Sequence, residues 1–101
     1  MIGAHKSPKY KEDLNRHALY LADHNPDAAL KFVDAAEETL DLLATQPNMG
    51  AKRLFADGAL ALRMFPVSEF KRFLIFYRPF DEGVYAIRLL HSARDIEAEF
   101  E

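Results

Sequence analysis

Leu60-Ala61-Leu62-Arg63-Met64-Phe65-Pro66-Val67, Phe70-Lys71-Arg72-Phe73-Leu74-Ile75-Phe76-Tyr77-Arg78-Pro79 and Val84-Tyr85-Ala86-Ile87-Arg88-Leu89-Leu90-His91 are three strand-length apolar runs, rich in aromatic, β-branched and leucine side chains. Ser68-Glu69 and Pro79-Phe80-Asp81-Glu82-Gly83 separate them. Both breaks are short enough for hairpins, and Asp and Gly supply the turn conformations that ordinary residues resist. The three runs therefore predict an antiparallel meander. In the middle run Phe73, Ile75 and Tyr77 alternate with Leu74 and Phe76, so both faces are apolar, the pattern of a central strand covered on both sides. Arg63, Arg78 and Arg88 interrupt the three strands, once each.

Upstream of the meander the pattern changes from alternating to helical. Met1 to Lys6 alternates Ile2 and Ala4 against Gly3 and His5, which predicts an edge strand. Ser7-Pro8 reads as a helix N-cap followed by proline at the first helical position, where its missing amide proton costs nothing. Tyr10, Leu14, Ala18, Leu21 and Ala22 recur at helical spacing up to a break near His24. Asn25-Pro26 repeats the cap-and-proline device and opens a second helix, whose stripe of Ala29, Phe32, Val33, Ala36, Leu40 and Leu43 lasts until Thr45-Gln46-Pro47. Two amphipathic helices so closely joined share an apolar face that the sheet must cover. Ala51 to Phe55, before the first meander strand, fits a loop or a short strand. After the last strand, Ser92-Ala93-Arg94-Asp95 has capping-box spacing, ahead of a short helix carrying Ile96 and Phe100 one turn apart. The fold class expected is α+β: an N-terminal strand, a two-helix hairpin packed on a twisted antiparallel sheet, and a short C-terminal helix, in one domain spanning residues 1–101.

Composition narrows the function. The chain has 101 residues, 50% of them hydrophobic, enough for one core and not for two. It contains no cysteine, and His5, His17, His24 and His91 have no zinc-like pair spacing, so neither a metal nor another cofactor is expected. No apolar stretch approaches the ~18 residues of a membrane span, and no leader pattern opens the chain, which predicts a soluble cytoplasmic protein with no membrane partner. The net charge of −3 hides an uneven distribution: −3 over residues 1–51, +4 over 52–94 and −4 over 95–101. An overall negative charge disfavours nonspecific grip on nucleic acid, while a local basic face on the sheet stays open.

Familiar catalytic signatures are missing: there is no Gly-x-Ser-x-Gly, no phosphate-binding loop and no His-Glu-x-x-His. Arg63, Arg78, Arg88, His91 and Tyr77 are the residues with chemical potential, because a metal-free ribonuclease needs an acid, a base and cations around a charged phosphorane. Each also has a structural reading. Strand arginines cover apolar surface with their stems and pair with carboxylates, and a histidine at a strand end caps or edges a core. If the last strand is regular, Arg88 and His91 point to opposite faces.

The ordered set of Ser7-Pro8, Asn25-Pro26, Pro47-x-x-Gly50, Leu62-Arg63, Phe65-Pro66-Val67, Ile75-Phe76-Tyr77-Arg78 and Ile87-Arg88-Leu89-Leu90-His91-Ser92-Ala93-Arg94-Asp95 resembles the RelE/ParE superfamily of bacterial toxins, specifically its ParE, or plasmid-stabilisation, branch. The resemblance covers almost the whole chain. It implies a type II toxin whose partner is a cognate antitoxin, with operator DNA reached only through that antitoxin. ParE-like members imply poisoning of DNA gyrase without hydrolysis; RelE-like members imply ribosome-dependent mRNA cleavage, for which Arg63, Arg78 and His91 stand at the matching places. No tyrosine follows Tyr85 and the C-terminus is acidic, which favours the ParE branch. Arg63, Arg78, Arg88, Arg94, Ile96 and Phe100 are then the expected contacts to gyrase or antitoxin. A non-toxic relic that still binds antitoxin is the third reading.

Overall fold

Ser7 and Asn25 set the helices. The Ser7 hydroxyl accepts the Tyr10 amide at 3.0 Å, and helix α1 runs over Pro8–His24. Asn25 ends α1, its amide donating to the Leu21 carbonyl, and also starts α2 over Pro26–Thr45, its side chain accepting the amides of Asp27 and Ala28. One residue serving as both caps leaves no linker, so the two helices fold back as a hairpin. The computed structural model describes residues 3–100. Met1 and Ile2 of the expected first strand, and Glu101 of the acidic tail, lie outside the described residues.

Among the described residues five strands form one sheet: β1 (Gly3–Lys6), β2 (Ala51–Phe55), β3 (Leu60–Val67), β4 (Phe70–Phe80) and β5 (Gly83–His91), in the order β1-β5-β4-β3-β2. The meander is antiparallel as read from the sequence, and the segment from Ala51 to Phe55 is its outermost strand. β1 adds a parallel edge, Gly3 lying opposite Gly83 and Lys6 opposite Ala86. Parallel neighbours need a long crossover, and the helix hairpin is the first part of it. At Gly83 φ is +127°, and a methyl group there would run into the Gly3 backbone, so the close approach of β1 needs glycine.

β4 is central, and each of its faces is buried. On one face the helices bring Tyr10, Phe32, Leu40 and Leu43 against Ile75, Tyr77, Val84 and Leu89. Val33 alone of the expected α2 stripe turns outward, at 38% exposure. On the other face Phe55, Leu62, Phe76 and Leu90 form a second cluster, closed by Ile96 and Phe100. The Phe100 ring lies 4.5 Å from Phe55 and 5.2 Å from Phe76, centroid to centroid. Two features depart from simple strand and cap rules. Tyr77 pairs with Ala86 but Phe76 with Arg88, so Ile87 is an extra residue, a β-bulge in the middle of β5. Ser92 does not cap the last helix: its amide donates to the Arg72 carbonyl, and Asp95 is the N-cap of a single turn, α3 (Ile96–Glu99), accepting the Ala98 amide. The turn after β5 consumes the residues that the capping-box spacing would have placed in the helix.

Candidate functional site

Arg63 on β3 and Tyr77 on β4 are cross-strand partners, and both hold the loop between α2 and β2. Arg63 donates to the carbonyls of Asn48 at 3.1 Å and Gly50 at 2.7 Å. The Tyr77 hydroxyl donates to the Pro47 carbonyl at 2.8 Å and accepts the Gly50 amide at 2.9 Å. A Cβ on Gly50 would stand 2.6 Å from that hydroxyl, so the Pro47-x-x-Gly50 pattern is a fitting requirement of the loop. Burial pushes the Tyr77 hydroxyl above the ordinary tyrosine range, against the opposing influence of the Gly50 amide and Arg63.

Arg88 owes its position to the bulge. Counting by twos from Val84 would aim it into the helix-side core; the extra residue puts it opposite Phe76 at the strand edge instead. There it grips Asp13 of α1 with two bonds, Nε to Oδ2 at 2.7 Å and Nη2 to Oδ1 at 3.1 Å. Asp13 also accepts from Arg16 at 2.9 Å and from the Leu89 amide at 3.0 Å. Burial alone would raise its pKa, but the Arg88, Leu89 and Arg16 bonds outweigh this and hold the carboxyl below the usual aspartate range. One turn on, His17 Nε2 donates to the Leu89 carbonyl at 2.8 Å. That bond fixes the ring as the Nε2–H tautomer and leaves Nδ1 as an acceptor. Burial lowers the His17 pKa despite the Leu89 bond that favours the charged form.

The acidic tail folds onto the basic sheet. Arg88 and Arg94 both bind Glu99, at 3.0 and 2.9 Å, and Arg53 binds Glu97 at 3.0 Å. Segments of opposite charge in the sequence are therefore in contact in the fold, and Ile96 and Phe100 are half-buried anchors of the same segment.

Arg78 stands apart. It is exposed, lies among His5, Phe80 and Tyr85 around a shallow hollow of about 360 Å³, and has no carboxylate partner among the described residues. His91 is at the other end of β4, opposite Phe73, its Nδ1 accepting the Ala93 amide at 3.0 Å and its ring edge-on to Phe73 at 5.0 Å. Arg88 and His91 do take opposite faces, since their partners Phe76 and Phe73 do.

Arg63, Arg78 and His91 are thus not brought together. Arg63 shares the helix-side face with Tyr77, Arg78 alternates to the opposite face, and the β4 positions of Arg78 and of the His91 partner Phe73 are about 17 Å apart along the strand. The structure instead gathers residues that the sequence reading passed over. Asp13, Arg16, His17 and Tyr20 of α1 stand beside Arg88, His91 and Arg94. The signal available was position: Asp13 and His17 are three and seven residues after Tyr10, on the stripe that buries Leu14 and Leu21, where a charged and an imidazole side chain call for partners.

No curated protein gives a significant match to the chain. The family model for the ParE toxin of type II toxin-antitoxin system, parDE, matches residues 5–96, from β1 through the meander to the first residue of α3. Covering nearly all of the sequence, with both helices and the whole meander, the match shows that this chain belongs to the ParE toxin family of type II toxin-antitoxin systems.

Proposed function

We propose that this protein arrests bacterial growth by poisoning DNA gyrase in the cytoplasm and is held inactive by its cognate antitoxin. What supports a non-hydrolytic toxin over a ribosome-dependent ribonuclease is the dispersal of Arg63, Arg78 and His91. A phosphorane needs its acid, base and cations within hydrogen-bond reach of one phosphate. Here Arg63 is bound to loop carbonyls, Arg78 is on the opposite face, and His91 is at the far end of β4. The exposed Arg78, with Phe80 and Tyr85, is the part of this set available for contact with gyrase.

The antitoxin fits the outer side of the helix hairpin. Leu19 and Leu30 are each 69% exposed there and flank, with Val33, a groove of about 380 Å³ between α1 and α2. An amphipathic segment that orders on binding would cover them, with a total interface above about 2,000 Å². The test is a supercoiling assay with purified gyrase. Accumulation of cleaved DNA, suppressed by the cognate antitoxin, is the expected result. Unimpaired gyrase together with cleavage of mRNA on translating ribosomes would overturn it in favour of the ribonuclease, and inactivity in both assays with retained antitoxin binding would identify a relic.

A further inference from the structure

Arg16, Asp13, Arg88, Glu99 and Arg94 form one continuous chain of ion pairs, linked at 2.9, 2.7, 3.0 and 2.9 Å. Three cations share two anions, so the chain carries one unneutralised positive charge. Its middle is buried, Arg88 keeping 12% of its side chain exposed and Asp13 1%, whereas the terminal arginines are half exposed. Both ends open into the same cavity.

That cavity holds about 410 Å³ and is lined by Arg16, His17, Tyr20, Phe73, His91 and Arg94. Phe73 supplies an aromatic floor, with the His17 and His91 rings set edge-on to it at 4.9 and 5.0 Å. Tyr20, largely exposed, gives a second aromatic wall. The polar atoms are sorted by role. His91 accepts the Ala93 amide through Nδ1, which leaves Nε2 as its donor; His17 donates through Nε2, which leaves Nδ1 as its acceptor. Each terminal guanidinium uses one nitrogen in its ion pair and keeps further donors.

Excess positive charge and outward donors suit an anion, and phosphate is one that arginine forks match bidentately. The space is in the range of small-molecule sites and far exceeds a bare phosphate, and aromatic walls are what a planar base stacks on. The overall charge of −3 disfavours a long polyanion but not a single phosphate monoester. We infer that this pocket between α1 and the end of β5 binds a mononucleotide, its phosphate between Arg16 and Arg94 and its base against Phe73 and Tyr20. The ligand chemistry has two sources, a free nucleotide or the 5′-phosphorylated end of a single strand. The site does not depend on gyrase being the target.

Titration calorimetry on the full chain with AMP, adenosine, inorganic phosphate and a 5′-phosphorylated trinucleotide tests this. AMP should bind with a Kd of about 0.01 to 1 mM, with adenosine and phosphate each at least about tenfold weaker. Arg16→Gln and Arg94→Gln, at exposed ends of the ion-pair chain, should each weaken AMP about tenfold while the circular dichroism spectrum and melting temperature stay near wild type. If the trinucleotide binds more tightly than AMP, the source is a strand end; if more weakly, a free nucleotide. Absence of AMP binding at low salt, AMP binding that both variants leave unchanged, or phosphate binding as tight as AMP would each overturn the proposal.

Discussion

Asp13, in the second turn of α1, accepts the backbone amide of Leu89 on β5 at 3.0 Å. β1 ends at Lys6, opposite Ala86, and from there the outer edge of β5 has no strand beside it among the described residues. Ser7 takes the next carbonyls, its amide donating to Ala86 and its hydroxyl to Ile87; Asp13 and His17 then satisfy the amide and carbonyl of Leu89. A helix thereby does for a strand edge what a neighbouring strand would have done, and the edge is closed to pairing with another chain.

Asp13→Ala would leave the Leu89 amide without its acceptor and the Arg88 guanidinium with Glu99 as its remaining carboxylate partner. Breaking a buried ion pair from one side is among the costlier substitutions, and a loss of about 3 kcal/mol or more is expected by urea denaturation. Replacing Asp13 and Arg88 together by apolar residues of similar size should cost less than Asp13→Ala alone.

Acid sensitivity should have two steps. The His17 pKa is lowered in the fold, so the unfolded chain binds the proton more readily, and stability is lost as pH falls below the ordinary histidine value of about 6.5. Asp13 is also lowered, and its contribution is complete above the ordinary aspartate value of about 3.9 and lost below it. His17→Gln should flatten the dependence of melting temperature on pH between 7.5 and 5.5 without removing the fall at lower pH. An unchanged profile in that variant would mean that His17 does not carry the first step.

Tyr10 is fully buried and its hydroxyl has no partner among the described residues. Burial, reinforced by Glu37 and Asp13, pushes its pKa well above that of an ordinary tyrosine. Tyr10→Phe removes a desolvated hydroxyl and no bond, so stability should stay level or rise by about 1 kcal/mol in thermal or urea melts. A clear loss would show that the hydroxyl is satisfied in solution.

Phe100 is the peg that holds the last turn, since four helical residues cannot persist by propensity alone. Phe100→Ala should cost about 1 to 2 kcal/mol, less than a full core position because the ring is only half buried. Deleting residues 96–101 should leave a folded domain with Phe55 and Phe76 uncovered, read as increased binding of a hydrophobic dye. Dye binding at the wild-type level would show that the segment covers nothing.

Features written locally in the chain were legible from sequence. Caps at Ser7 and Asn25 depend on a side chain and the amides two or three residues on, and the alternation of Phe73 to Tyr77 names both cores. Ser92 misled because a turn followed by an aspartate cap has the same spacing as a capping box. The ion-pair chain was not legible, since Asp13 and Arg88 are 75 residues apart, and nothing in Ala86-Ile87-Arg88 marks where the pleat slips by one. Arg63 and Arg78 look alike in a strand pattern, yet one holds carbonyls and the other faces water, a difference decided by the loop at Pro47 to Gly50.

The parallel edge strand also bears on how the molecule is made. Ser7 bonds to a residue 80 positions later, and among the described residues β1 pairs with β5, the strand that comes last in chain order. While translation is under way, the helix hairpin emerges with its apolar side uncovered, β1 lacks its partner until Ala86 has left the ribosome, and Asp13 lacks its β5 partners until Leu89 has. A message cut or stalled before the end of β5 therefore yields a chain in which β1 and Asp13 lack their partners and the sheet cannot close.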